Sequence, residues 1–142
     1  MENLQIINQL KLQGRRITQI RKLVINIFGR NRLPVSELEI RIALRKQGIA
    51  ANKTTIYREL AVLKNLRLIK EADFGDGKKR YELDRGDHHH HLICTGCKKV
   101  GEITVCENLS GMEKQIKKQK LFAVSSHSLE FFGLCQKCAN NH

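Results

Sequence analysis

The sequence predicts an α+β protein in two chemically different parts: a helical N-terminal domain closed by a two-stranded hairpin, then a small α/β domain. Three observations predict it. Apolar residues recur at helical spacing through most of residues 3–66. A glycine-rich turn, Gly75-Asp76-Gly77, then separates two strand-like runs. All 6 histidines and all 5 cysteines lie from His88 onward, and the two Cys-x-x-Cys pairs among them offer four soft ligands, a complete tetrahedral shell for zinc.

Taken in order, Leu4, Ile7 and Leu10 predict a first helix over residues 3–13 that stops at Gly14. Thr18 can cap a second helix whose core stripe is Ile20, Leu23, Val24, Ile27 and Phe28, with Gly29 as its terminator. Pro34 punctuates the next loop, and Ser36 with Glu39 reads as a capping box. The third helix then runs to about Gly48 and is expected to bury Leu38, Ile42 and Ala43. A fourth helix from Thr54 carries Ile56, Leu60, Leu63 and Leu66 on one face, which turns Thr54 and Arg58 away from the core and leaves Tyr57 on the flank. Residues 68–74 and 78–83 form the hairpin, whose tip and return carry Lys78, Lys79 and Arg80. Helices followed by a basic hairpin predict a winged helix-turn-helix DNA-binding domain, residues 1–84, with the fourth helix entering the groove and the wing meeting phosphates.

Residues 85–142 form the second domain. Short strands are expected over residues 89–94 and 99–104, on either side of the Cys94-x-x-Cys97 knuckle, followed by a helix over 107–120 despite Gly111 and a long final strand over 123–134. So little chain buries a thin core, and a partner subunit is expected to cover the rest in a symmetric dimer. Cys106 reads as a small buried hydrophobe, with a metal ligand or redox sensor as the alternative.

Charge divides the same way. Residues 1–84 hold 18 Lys and Arg against 9 Asp and Glu, whereas residues 85–142 hold 8 against 5, so most of the net charge of +12 lies in the first part. A field of that sign favours polyanions, nucleic acid foremost. There is no apolar run of membrane-spanning length, and Met1-Glu2-Asn3-Leu4 lacks the basic start of a signal peptide, so a cytoplasmic protein is expected. In that reducing compartment an odd number of cysteines at Cys-x-x-Cys spacing predicts metal thiolates, not disulfides.

The motifs Gly14-x-Arg16-x-Thr18-x-x-Arg21, Thr55-Ile56-Tyr57-Arg58-x-Leu60, His88-His89-His90-His91-Leu92-Ile93-Cys94-x-x-Cys97-x-x-Val100-x-Glu102 and His127-Ser128-Leu129-Glu130-x-x-Gly133-Leu134-Cys135-x-x-Cys138 span nearly the whole chain. Through them the sequence resembles the ferric uptake regulator family of metal-responsive bacterial transcription factors. The resemblance implies an N-terminal winged helix and a C-terminal dimerisation domain. It implies a structural zinc site at Cys94, Cys97, Cys135 and Cys138, which the spacing also predicts, and a regulatory site for Fe2+, Zn2+ or Mn2+ at Glu82, His89, His91 and Glu102. It implies an additional site at His88, His90 and His127. DNA contacts are assigned to Arg16, Arg21, Thr55, Tyr57 and Arg58, with Lys78, Lys79 and Arg80 on the wing. The function implied is repression, as a homodimer on an inverted-repeat operator of double-stranded DNA, when the regulatory site is loaded.

Two positions depart from the family pattern. The loop before the third helix reads Arg32-Leu33-Pro34-Val35 where members often place a histidine, leaving Glu82 as the ligand from the wing side. The carboxylate expected in the additional site falls at Leu109, with Glu107 nearby. A peroxide sensor of the same family and a constitutive zinc-stapled DNA binder are the alternatives. A zinc deaminase is disfavoured, because Thr95 and Gly96 stand in a knuckle with no preceding proline and four thiolates close the shell against water. At 5% aromatics and no Trp, stacking platforms for single-stranded RNA are scarce.

Overall fold

The computed structural model describes residues 2–105 and 109–141, which fall into two compact units, Met1–Asp87 and His88–His142. Cys106 and Glu107, singled out from the sequence, lie outside the described residues.

The first unit runs α1 (Glu2–Leu12), α2 (Gln19–Arg30), β1 (Val35–Ser36), α3 (Glu37–Lys46), α4 (Lys53–Asn65), β2 (Ile69–Asp73) and β3 (Lys79–Leu83). Its sheet has the order β1-β3-β2, antiparallel throughout, and Ile69 faces Leu83 at one end of the hairpin while Asp73 faces Lys79 at the other. This is the winged helix-turn-helix that the pattern predicts. Side-chain caps fix where the helices begin: Thr18 accepts from the Arg21 N–H at 3.1 Å, Asn52 from the Thr55 N–H at 2.8 Å, and Ser36 and Glu39 close the expected box. Leu10, Val24, Phe28, Ile40, Leu44, Ile56, Leu60 and Leu63 are sealed from solvent in one core.

Two expectations about these helices are corrected. In α3 the buried residues are Glu37, Ile40 and Leu44, while Leu38 and Ile42 are 51% and 46% exposed. The pairs Leu38/Ile42 and Ile40/Leu44 both have i, i+4 spacing but lie about 200° apart around the helix, so only one can face the core. Ala43 packs at the core margin as expected. Gly29 does not end α2, which continues to Arg30; a Cβ at Gly29 would collide with the Asn3 side chain, so this glycine lets α1 approach α2 closely.

The second unit contains β4 (His90–Cys94), β5 (Val100–Ile103), α5 (Leu109–Lys120), β6 (Glu130–Gly133) and a single-turn α6 (Gln136–Ala139). Its sheet has the order β5-β4-β6, with β4 antiparallel to β5 and parallel to β6. The long strand expected over residues 123–134 shrinks to Glu130–Gly133. β4 offers only the span from His91 to Cys94 as partner, and the Ser125-Ser126-His127-Ser128 run has weak strand preference. Among its described residues few side chains are buried: His90, His91, Ile93 and Cys94. No described residue of α5 is buried, and Phe122 and Phe132 remain 61% and 54% exposed.

The phase of α3 is directly testable. Leu44→Ala should cost about 2–5 kcal/mol of unfolding free energy, whereas Ile42→Ala should stay within about 0.5 kcal/mol of the parent in denaturant titration.

Candidate metal centres and nucleic-acid surface

Four cysteines converge where β4 and β6 end. Cys94 closes β4, Cys97 follows in the turn, Cys135 caps α6 and Cys138 sits within it. Their sulfurs all lie within 4.8 Å of one another, and Cys97 and Cys135 approach to 3.8 Å. That separation is far beyond a disulfide of about 2.05 Å and close to the edge of about 3.8 Å that four Zn–S bonds of about 2.3 Å would impose. The backbone holds the pocket shut: the Thr95 N–H donates to the Gly133 carbonyl at 2.7 Å and the Cys135 N–H to the Cys94 sulfur at 3.3 Å. Gly96 leaves room for Cys138, whose sulfur a Cβ there would meet at 3.0 Å.

The thiols are not equivalent as acids. Hydrogen bonds from the backbone N–H groups, that of Cys135 first, lower Cys94 to about 6. Hydrogen bonding with the Cys135, Cys94 and Cys97 thiols pushes Cys138 up to about 12. Protons alone therefore leave the cluster partly thiolate and partly thiol. A divalent cation is what such a donor set requires to carry four thiolates together, and zinc fits both the number and the softness of the ligands.

Upstream, the four histidines of the predicted cluster separate. His89 and His91 meet edge to face, their ring centroids 5.3 Å apart. His91 is buried on the central strand, opposite Glu102 of β5 and beside Glu130 of β6. Its Nδ1 lies 3.0 Å from Glu130 Oε2, and its backbone N–H donates to that same oxygen at 3.2 Å. Of the residues expected to form an additional site, His88 and His127 stack in parallel with centroids 5.7 Å apart, and His127 Nδ1 lies 3.4 Å from Glu113. His90 instead directs Nδ1 to the Leu129 carbonyl at 3.1 Å and meets Phe131 edge-on. Among the described residues, His88, His90 and His127 do not converge as a three-ligand group. Glu113 and Glu130 were missed in the sequence. Glu113 was findable, one helical turn beyond Leu109 on the same face of α5; Glu130 was not, because its place depends on the β4–β6 register. Glu82 lies on β3 in the first unit, buried, with Lys70 at 3.3 Å.

On the first unit, α4 buries Ile56, Leu60 and Leu63 and leaves Thr54, Tyr57 and Arg58 exposed, with Thr55 half-buried and Lys53 lying 5.9 Å over the Tyr57 ring. Arg16 is exposed, but Arg21 is not: its guanidinium is buried, grips Glu59 at 2.7 and 3.2 Å, and donates to the Arg16 carbonyl. The assignment of Arg21 to a DNA contact is therefore corrected to a strut between α2 and α4. On the wing, Lys78 and Lys79 are exposed. Arg80 forks onto Asp76 at 2.8 Å through two hydrogen bonds and covers the Phe74 ring at 4.7 Å, so it chiefly closes the wing turn. That hydrogen bonding keeps Asp76 well below the usual carboxylate range. Among the described residues, no helix is long and apolar enough to cross a membrane.

A winged helix in one unit and a four-cysteine cluster in the other fit the class of metal-binding transcription regulators. The comparisons with known proteins agree. The ferric uptake regulator family model matches residues 12–132. The ferric uptake regulation protein of Neisseria gonorrhoeae is 30% identical over 141 residues, covering 97% of this chain and 96% of its own length. Among solved structures, the Helicobacter pylori ferric uptake regulator, described with three functional metal binding sites, superposes with a TM-score of 0.78 at 23% identity over 96% of this chain and 93% of that one. A zinc uptake regulator complexed with zinc and DNA superposes with a TM-score of 0.72 at 22% identity over 98% and 93%. The chain belongs to the ferric uptake regulator family.

The sulfur cluster predicts stoichiometric zinc in purified protein. Cys138→Ser should weaken zinc binding on the order of a hundredfold or more and unfold the second unit, with the helical signal of the first unit retained. Undiminished zinc by elemental analysis would contradict the four-sulfur shell.

Proposed function

We propose that this chain is a dimeric, metal-responsive transcriptional repressor of the cytoplasm, which binds an inverted-repeat operator when a second divalent ion joins the structural zinc. The observation that carries the reading is β4. Its five residues end in the thiol Cys94 and set the buried imidazole His91 between strands bearing Glu102 and Glu130. One short strand thus serves two metal sites of different character: soft sulfur for a permanent ion, and imidazole with carboxylate for an exchangeable one.

The regulatory ligands are assigned to Glu82, His89, His91 and Glu102. A bound ion supplies a charge that draws these donors together. Because Glu82 belongs to the strand that also carries the wing residues Lys79 and Arg80, its capture restrains the reading surface of the winged helix. The dimer is supported by the exposed apolar side chains of the second unit, including Leu92, Ile103, Phe131 and Phe132, which no described residue covers fully. Tyr57 and Arg58 are assigned to base edges. Arg16, Thr55, Lys78 and Lys79 are assigned to the phosphate backbone.

The first test takes zinc-loaded protein and a DNA fragment that it selects from a random pool. Titration with zinc, ferrous iron and manganese should tighten binding by about 5–150-fold for the sensed ion. A DNA affinity indifferent to all three leaves a constitutive zinc-stapled DNA binder. Oxygen added to a histidine after iron and peroxide treatment would instead assign the chain to peroxide sensing.

The contact assignments separate by sequence dependence. Arg58→Ala should lose about 1–3 kcal/mol of discrimination between the selected fragment and random DNA. Lys79→Ala should weaken both alike and flatten the salt dependence by about one unit of slope. Equal losses on both DNAs in the Arg58 variant would remove Arg58 from base recognition.

A further inference from the structure

We infer that Glu130 is a positioning residue for the second metal site, holding His91 in the tautomer that presents Nε2 to the ion. The inference rests on the regulatory site proposed above and adds to it a residue from outside its ligand set.

The geometry is specific. Parallel pairing of β4 with β6 puts Glu130 in register with His91. One carboxylate oxygen, Oε2, then lies 3.0 Å from His91 Nδ1 and accepts the backbone N–H of His91 at 3.2 Å. An ionised carboxylate is only an acceptor, so the ring nitrogen facing it must be the protonated one. Nδ1 is thereby committed to Glu130, and a metal taken up by this imidazole must use Nε2. The contact is also well shielded, with side-chain exposures of 5% for His91 and 13% for Glu130. Two hydrogen bonds onto one oxygen fix both the ring's rotation and its distance from the strand, so little ordering remains when an ion arrives. A carboxylate behind a ligating imidazole also raises the basicity of the donor nitrogen.

The same register explains how the carboxylate is held in place. Three positions beyond Glu130, Gly133 pairs with Cys94 and its carbonyl accepts the Thr95 N–H at 2.7 Å, next to the sulfur cluster. A slip of β6 by one residue would turn Glu130 to the opposite face of the sheet. Closure of the four-sulfur site therefore fixes the register on which the His91–Glu130 contact depends.

The experiment reads the tautomer and the affinity on the same zinc-loaded, full-length protein. Two-bond nitrogen–proton correlation spectra report which His91 nitrogen carries the proton. Cobalt(II) titrated against a chelator, followed by its visible absorption, reports the second site. Wild type should show protonated Nδ1. Glu130→Ala should lose that tautomer preference and weaken cobalt binding by about 10–100-fold. Glu130→Gln, whose amide oxygen still accepts, should keep the tautomer and most of the affinity. Neither change should alter zinc content.

A wild-type His91 protonated on Nε2, or a Glu130→Ala chain binding cobalt within about twofold of wild type while His91→Ala abolishes binding, would overturn the positioning role and leave the regulatory site intact. Unchanged cobalt binding in His91→Ala would overturn the site itself, and this inference with it.

Discussion

The pairing of β4 with β6 is the contact on which the second unit depends. Four residues on each strand lie side by side. Parallel strands of that length do not persist alone in water. The sulfur cluster lies at their shared end, where Cys94, Cys97, Cys135 and Cys138 would bind one cation as thiolates, releasing their protons to solvent. Structural zinc in small sites carries about 10–16 kcal/mol of apparent binding free energy. Among the described residues of this unit, Ile93 and Cys94 are the buried apolar side chains, and their burial, at about 1.5–3 kcal/mol for a large side chain, supplies far less. The same pairing seats Glu130 against His91, so the sulfur cluster and the site proposed for a second ion share a strand and a register.

The first unit is stabilised differently. Its helices and three-stranded sheet enclose a continuous apolar core from Leu10 to Leu83. Charge is used there for positioning. The Arg21–Glu59 pair, with Arg21 buried and Glu59 half-buried, braces the start of α2 against α4 next to the exposed Arg58. The Asp76–Arg80 fork, with Phe74 beneath it, sets the shape of the wing. Two residues that look available for phosphate contact in the sequence, Arg21 and Arg80, are thus held in internal ion pairs, while Tyr57, Arg58, Lys78 and Lys79 stay open to solvent.

Much of this was legible in the sequence, and for identifiable reasons. Caps are local, so Thr18 and the Ser36–Glu39 box could be read directly from neighbouring residues. Cysteine spacing is nearly as local, because each Cys-x-x-Cys pair folds within one turn and only the joining of the two pairs is a tertiary event. What escaped depended on contacts distant in the chain. Choosing Ile40/Leu44 over Leu38/Ile42 as the buried pair of α3 needs the neighbouring helices. Recognising Gly29 as a point of close approach needs Asn3, and confining the final strand to Glu130–Gly133 needs the short partner β4. Arg21 resembled a surface cation because its partner, Glu59, is 38 positions away. Glu130 stood in the middle of a recognised motif with no visible duty until the register placed it beside His91.

On the proposed function, metal occupancy and DNA binding form one coupled equilibrium in this chain. The most direct measurement is the affinity of zinc-loaded protein for the sensed ion, determined with and without saturating selected DNA. Coupling requires DNA to tighten metal binding by the same factor that metal tightens DNA binding. An affinity for the ion identical with and without DNA would contradict the account.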